Sequence, residues 1–157
     1  MNLILLTPQD CPQSNTAVLT GRRLQHVLAI HQAQVGQTLR VGMVNGLMGE
    51  AEIIRLDDQE LHLQFNLSQS PPAKLPLTLL LALPRPKMLK RILQTVATMG
   101  VERLVLMNSY RVEKSFWHSP FLQPEAIEHE LVLGLEQARD TVLPEVILEK
   151  RFKPFVE

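Results

Sequence analysis

Residues 81–100, "LALPRPKMLKRILQTVATMG", carry an apolar run through Pro84 and Pro86 into a pattern with helical spacing. Met88, Ile92 and Val96, with Leu89 and Leu93, form one apolar stripe, while Lys87, Lys90, Arg91 and Gln94 face elsewhere. Gly100 closes that helix. Just upstream, "LTLLLAL" (77–83) is a continuous apolar run suited to a strand buried on both faces, and "VERLVLM" (101–107) is another. A second helix is expected from Pro124 to Arg139, with Ile127, Leu131 and Leu135 inside and Glu125, Glu128 and Glu136 outside. "PEVILEK" (144–150) supplies a third strand. The order βαβαβ, joined by right-handed crossovers, predicts a parallel sheet with helices packed on it. Such a sheet needs both faces covered, yet little follows its third strand, so this half is expected to be unfinished.

The residues before this region obey a different grammar. "NLILL", "QTLRVGMV", "GEAEIIRL" and "ELHLQFNL" alternate in strand fashion, and "VNGLMG" joins two of them as a hairpin. "TGRRLQHVLAIH" (20–31) places Leu24, Val27, Leu28 and His31 at helical spacing behind a candidate Thr20 cap. A small, mostly antiparallel barrel with one short helix fits this pattern. The fold class is therefore α+β with two domains: a barrel over 1–69, a Pro- and Ser-rich linker over 70–76, and a parallel-sheet half-domain over 77–157.

The chain has 157 residues, 45% of them hydrophobic, enough for a real core. Its 16 basic and 16 acidic side chains cancel, but they are segregated. Residues 74–117 hold eight cations against Glu102 and Glu113, whereas the flanking parts carry −2 and −4. A basic island of this kind suits a polyanion, and the same charges would also serve a merely solvated helix face. The single Cys11 excludes an intramolecular disulfide, and no leader or membrane-length apolar run is present, so a cytoplasmic protein is the simplest expectation.

Several chemistries are excluded. His129-Glu130 begins an HExxH motif, but Leu133 stands where its second histidine belongs. His26, His31, His62 and His118 are scattered, so no metal set is expected. No Walker loop, GxGxxG or nucleophile elbow occurs. What remains is a strand end followed by Arg85 and Lys87, where the first helical turn points free N–H groups toward an anion. The next strand ends similarly in "NSYRVEKSFW", which sets Arg111 and Lys114 beside Tyr110, Phe116 and Trp117, a composition suited to stacking on an unpaired base. "LGLEQARDTVLPEV" gathers Glu136, Gln137 and Arg139 near a helix end, where Arg139 would also complement the helix dipole.

These segments, in order, resemble the RsmE family of ribosomal RNA methyltransferases, of the SPOUT class. The resemblance rests on "LQHVL" and "VGQTLRVG", then "LALPRPKMLKRILQTVATMGV", "NSYRVEKS" and "GLEQARDTVLPEV", and spans nearly the whole chain. It implies an N-terminal PUA-like barrel that holds RNA and a catalytic domain with a trefoil knot, acting as a homodimer. It further implies S-adenosylmethionine as cofactor and methylation of uridine N3 in 16S ribosomal RNA, on the RNA or the small-subunit particle. The family's GPEGG-like loop and arginine-rich closing segment do not occur in this sequence, so the chain is expected to be truncated before the knot and not to bind S-adenosylmethionine by itself. Ala29 follows Val27-Leu28 where the family usually has Arg. If the chain serves that reaction, the catalytic candidates by position are Arg111 or Arg139, with Glu136 and Gln137 orienting the base or the arginine, and the candidate RNA contacts are Arg22, Arg23, His26, Arg85, Lys87, Lys90, Arg91 and Lys114. The competing reading is a non-catalytic RNA-binding module.

Overall fold

Strict alternation of apolar and polar residues builds the first sheet. In β4 (Met48–Leu56) Ala51 and Ile53 are buried while Glu50 and Glu52 are exposed, and in β5 (Leu61–Gln69) Leu61, Leu63 and Phe65 alternate with outward Gln64 and Asn66. The computed structural model describes residues 2–30 and 32–151, so His31 and the closing "FKPFVE" of the sequence lie outside the described residues. The chain divides into two units, Met1–Pro71 with Arg139–Val142, and Pro72–Ala138 with Leu143–Glu157.

The first unit holds β1 (Ile4–Leu6), β2 (Thr16–Leu19), α1 (Gly21–Ile30) and β3 (Thr38–Met43) besides β4 and β5. The sheet order is β1-β3-β4-β5-β2, antiparallel except for the β1–β3 pair. Residues from all five strands join Leu24 and Val27 of α1 in one core cluster, so the sheet curls about that core. The expected hairpin at "VNGLMG" is present, with Asn45 at φ 58° and the Gly46 N–H bonded to the Met43 carbonyl at 2.8 Å. Gly49 sits at a register shift where a Cβ would strike the Asn66 backbone, so β4 and β5 close only around a glycine. The segment Arg139–Val142 completes this unit. Thr141 is fully buried, donates its hydroxyl to the Gly46 carbonyl at 2.6 Å, and accepts from the Asn45 N–H at 2.7 Å.

The second unit is β6 (Leu75–Ala82), α2 (Pro86–Thr98), β7 (Val101–Met107), α3 (Pro124–Ala138) and β8 (Glu145–Glu149), with two short 3-10 turns before α3. All three strands run parallel in the order β6-β7-β8, as βαβαβ predicts. The central β7 is the strand buried on both faces, with Leu104, Val105 and Leu106 inaccessible. β6 differs from its expectation. Among the described residues it lies at an edge and leaves Leu75, Leu77 and Leu80 43–48% exposed, because an apolar run reports burial potential and not position in a sheet. It also takes in Leu75 and Pro76, assigned above to a linker. Proline has no ladder N–H to give, and the register irregularity between Leu75 and Thr78 absorbs it at the edge.

α2 buries Leu89, Leu93, Val96 and Ala97, and Gly100 at φ 74° ends it as expected. α3 buries Ile127, Leu131 and Leu135, but also Glu130 and Glu136, and Glu136, expected outside, is only 1% exposed. The two helices touch at Gly134, where a Cβ would collide with the Gln94 carbonyl oxygen and the Ala97 methyl. In an open helix Gly→Ala stabilises by about 0.5–1 kcal/mol. Gly134→Ala is expected to reverse that sign and destabilise by about 1–3 kcal/mol, read as a lower thermal midpoint; an unchanged or raised midpoint would contradict the close approach.

Candidate functional site

The strand-to-helix turn after β6 is built by two prolines. Arg85 precedes Pro86 and is held extended at φ −57°, ψ 150°, and Pro86 occupies the first helical turn, where its missing N–H costs nothing. Leu83 anchors the turn, buried and bonded through its N–H to the Met107 carbonyl at 2.8 Å. The Arg85 carbonyl accepts from the Met88 and Leu89 N–H groups, each at 3.0 Å. Arg85, Lys87, Met88 and Arg91 then line a hollow of about 240 Å³. No carboxylate lines it, and among the described residues Arg85, Lys87 and Arg91 enter no ion pair. Three uncompensated cations at a helix start make a favourable place for phosphate.

Lys90 has a different role. Its Nζ lies 3.8 Å from Glu130 Oε1 and 4.9 Å over the Phe121 ring, while Gln94 Nε2 donates to Glu130 Oε2 at 2.5 Å. The buried Glu130 takes both, so Lys90 leaves the phosphate set: its charge neutralises a carboxylate that burial would otherwise make costly. Sequence reading missed Glu130, because its partners Lys90 and Gln94 stand on another helix and nothing local to them marks the acid that they meet.

Arg23 leaves the set for the same reason. Its Nη1 and Nη2 donate to Asp10 Oδ2 and Oδ1, each at 2.7 Å, and Nη1 also donates to the Leu5 carbonyl at 2.9 Å. Arg22 is exposed and His26 half-buried on α1.

In the turn after β7, Tyr110, Arg111 and Lys114 are exposed. Trp117 is half-buried and engaged: Nε1 donates to Asn108 Oδ1 at 3.2 Å, and Lys150 Nζ lies 5.8 Å from the ring centre. That leaves Tyr110 as the open ring of the three. At the end of α3, Glu136 points inward while Gln137 and Arg139 are exposed, so the three do not share a surface. Arg139 adopts φ 56°, which stops the helix; Asp140 Oδ1 accepts from the Thr141 and Val142 N–H groups at 2.7 and 3.2 Å and fixes the turn. Among the described residues no three His, Cys, Asp or Glu side chains gather as a metal centre, and no helix is long and apolar enough to cross a membrane.

Comparison with known proteins finds an RNA methyltransferase domain matching residues 71–157. The ribosomal RNA small subunit methyltransferase E of Treponema pallidum (strain Nichols) is 30% identical over 99% of this chain and 59% of its own length. The ribosomal RNA small subunit methyltransferase E 1 of Borreliella burgdorferi is 27% identical over 98% of this chain, which covers 63% of the relative. The chain thus spans about three-fifths of these relatives. Among solved structures, a ribosomal RNA small subunit methyltransferase E from Neisseria gonorrhoeae bound to S-adenosyl methionine aligns over 95% of this chain and 61% of its own, with TM-score 0.72 and 15% identity. A Legionella pneumophila putative methyltransferase in complex with the cofactor SAM aligns over 99% and 65%, with TM-score 0.70 and 16% identity. At these identities the two structures speak for the fold.

The Asp10–Arg23 pair yields a pH prediction. Burial pushes the Asp10 carboxyl up, but the Arg23 bonds and charge, with the Thr7 N–H and hydroxyl, hold it below its ordinary 3.8. A carboxyl lowered on folding stabilises fully above its unfolded value, and that contribution disappears as pH falls through the folded value. Arg23→Ala should therefore cost about 1.5–3 kcal/mol at pH 7 and progressively less below pH ~4, by denaturant unfolding at each pH; a cost independent of pH would contradict the pair.

Proposed function

Because the chain belongs to the RNA methyltransferase family, matched over more than half its length, we propose that it serves methylation of uridine N3 in 16S ribosomal RNA, with S-adenosylmethionine as methyl donor. The observation that carries this is the hollow of three unpaired cations at the carboxyl end of β6, inside the matched domain. The SPOUT-like and PUA-like architecture, the homodimer, the small-subunit particle as substrate and the cytoplasmic setting belong to the same proposal, supported by relatives named for ribosomal RNA small subunit methylation.

Methylating uracil N3 requires loss of its N–H proton, and the negative charge left behind spreads onto the flanking carbonyl oxygens. A guanidinium facing those oxygens stabilises the anion. Arg111 and Arg139 are the candidates: both are exposed, enter no ion pair among the described residues, and stand on turns rather than in helices. Gln137, exposed two residues before Arg139, takes the orienting role in this reading, and buried Glu136 supports the helix end that presents them. Extruding the base costs a few kcal/mol, which phosphate contacts at Arg85, Lys87 and Arg91 help to offset.

The methyl donor does not fit the described residues equally well. The mostly apolar hollow of about 280 Å³ beside β8 is lined by Leu122, Ile127, Leu131, Val146, Leu148 and others, with Glu128 as its one charged group. It offers no cation to the donor's carboxylate, and no step is assigned to it. The second reading is RNA binding without catalysis. Calorimetry with S-adenosylmethionine is expected to show no heat; micromolar binding would overturn this account of the donor site. Radiolabel transferred to uridine N3 in small-subunit particles would support the enzyme reading, and RNA bound without transfer the binding module.

A further inference from the structure

Along the outward face of α2, the phosphate hollow does not end at Arg91. A second hollow of about 390 Å³ is lined by Arg91, Gln94, Thr95, Thr98 and Met99, so Arg91 is shared by both. These five positions follow helical spacing i, i+3, i+4, i+7, i+8 and make one continuous surface. From Lys87 to Thr98 it extends about 16 Å at 1.5 Å per residue.

The chemistry of the second hollow differs from that of the first. Thr95 donates its hydroxyl to the Arg91 carbonyl at 2.9 Å, and Thr98 donates to the Gln94 and Gly134 carbonyls at 2.8 and 3.2 Å. With their protons spent on backbone carbonyls, both threonines present only lone pairs to the hollow. Arg91, at the other end, presents only donors. Met99, 63% exposed, adds a flexible, polarisable apolar surface. A group that fits has a flat apolar face, a carbonyl at one end and an N–H beside it, and is attached to a phosphate.

We infer that this hollow is a subsite for an unpaired nucleobase with an amide edge, uracil or guanine, adjacent to a phosphate held by Arg85, Lys87 and Arg91. The carbonyl accepts from Arg91, the neighbouring N–H donates toward the threonine oxygens, and the ring lies against Met99. Adenine and cytosine lack that carbonyl–N–H pairing, and a duplex hides the edge altogether. The inference rests on the RNA reading above and deepens it, by making the ligand single-stranded and the subsite selective.

Fluorescence anisotropy with the whole chain tests it, using labelled oligouridylate, oligoadenylate and an RNA duplex. Oligouridylate should bind more tightly than oligoadenylate, with affinity that falls steeply as salt rises. Met99→Glu, an exposed change, should weaken oligouridylate about tenfold, a 1.4 kcal/mol effect, and leave the duplex nearly unaffected. Thr95→Val, which keeps shape but removes the acceptor, should abolish the preference for uridylate over adenylate. Salt-sensitive RNA binding indifferent to both variants would overturn the subsite and leave the phosphate grip standing. Loss of self-association in Met99→Glu with unchanged RNA affinity would overturn it in favour of a second copy of the chain as occupant. No RNA binding by the unaltered chain would overturn both readings.

Discussion

The close approach of α2 and α3 governs what the second unit shows to solvent. Gly134 lets α3 come against the α2 backbone, and Glu130, buried in the seam, takes Gln94 and Lys90 from the facing helix. Once Leu89, Leu93, Val96 and Ala97 are buried and Lys90 and Gln94 reach along the seam to Glu130, the helical repeat leaves Lys87, Arg91, Thr95 and Thr98 exposed. The basic face is thus the complement of a packing decision. A single methyl at residue 134 disturbs it from the opposite helix, with no change of charge.

Order along the chain was legible in the sequence because periodicity is local. Alternation in "GEAEIIRL" and "ELHLQFNL", the hairpin at Asn45-Gly46, the amphipathic stripe of α2 and the stop at Gly100 all depend on neighbours within a turn or two. Partners distant in the chain were not legible. Nothing near Arg23 in sequence marks it as the partner of Asp10, and nothing near Lys90 marks it as the partner of Glu130, so both stood among the free cations until the fold paired them. Glu136 was placed outside by a helical-wheel argument that treats charge as exposure, whereas it is buried near the end of α3. The apolar run of β6 indicated a strand correctly but not its edge place among the described strands, since edge and centre differ only in what lies beside them.

The four residues Arg139–Val142 show how a short polar turn acquires two duties. Asp140 shapes the turn through two backbone bonds, and Thr141 is fixed against the β3–β4 hairpin, where Gly42 leaves room for its methyl. The continuous piece 1–71 therefore lacks part of its own unit. That same turn holds Arg139 at positive φ, next to the backbone bonds that Asp140 makes, so the exposed guanidinium stands on a shaped turn.

The central claim is that the outward face of α2 is where RNA lies. Photocrosslinking of a 4-thiouridine oligonucleotide to the chain, with the attached peptides identified by mass spectrometry, addresses it directly. Adducts concentrated on residues 85–99 are the predicted result; adducts confined to residues 1–71 would contradict it.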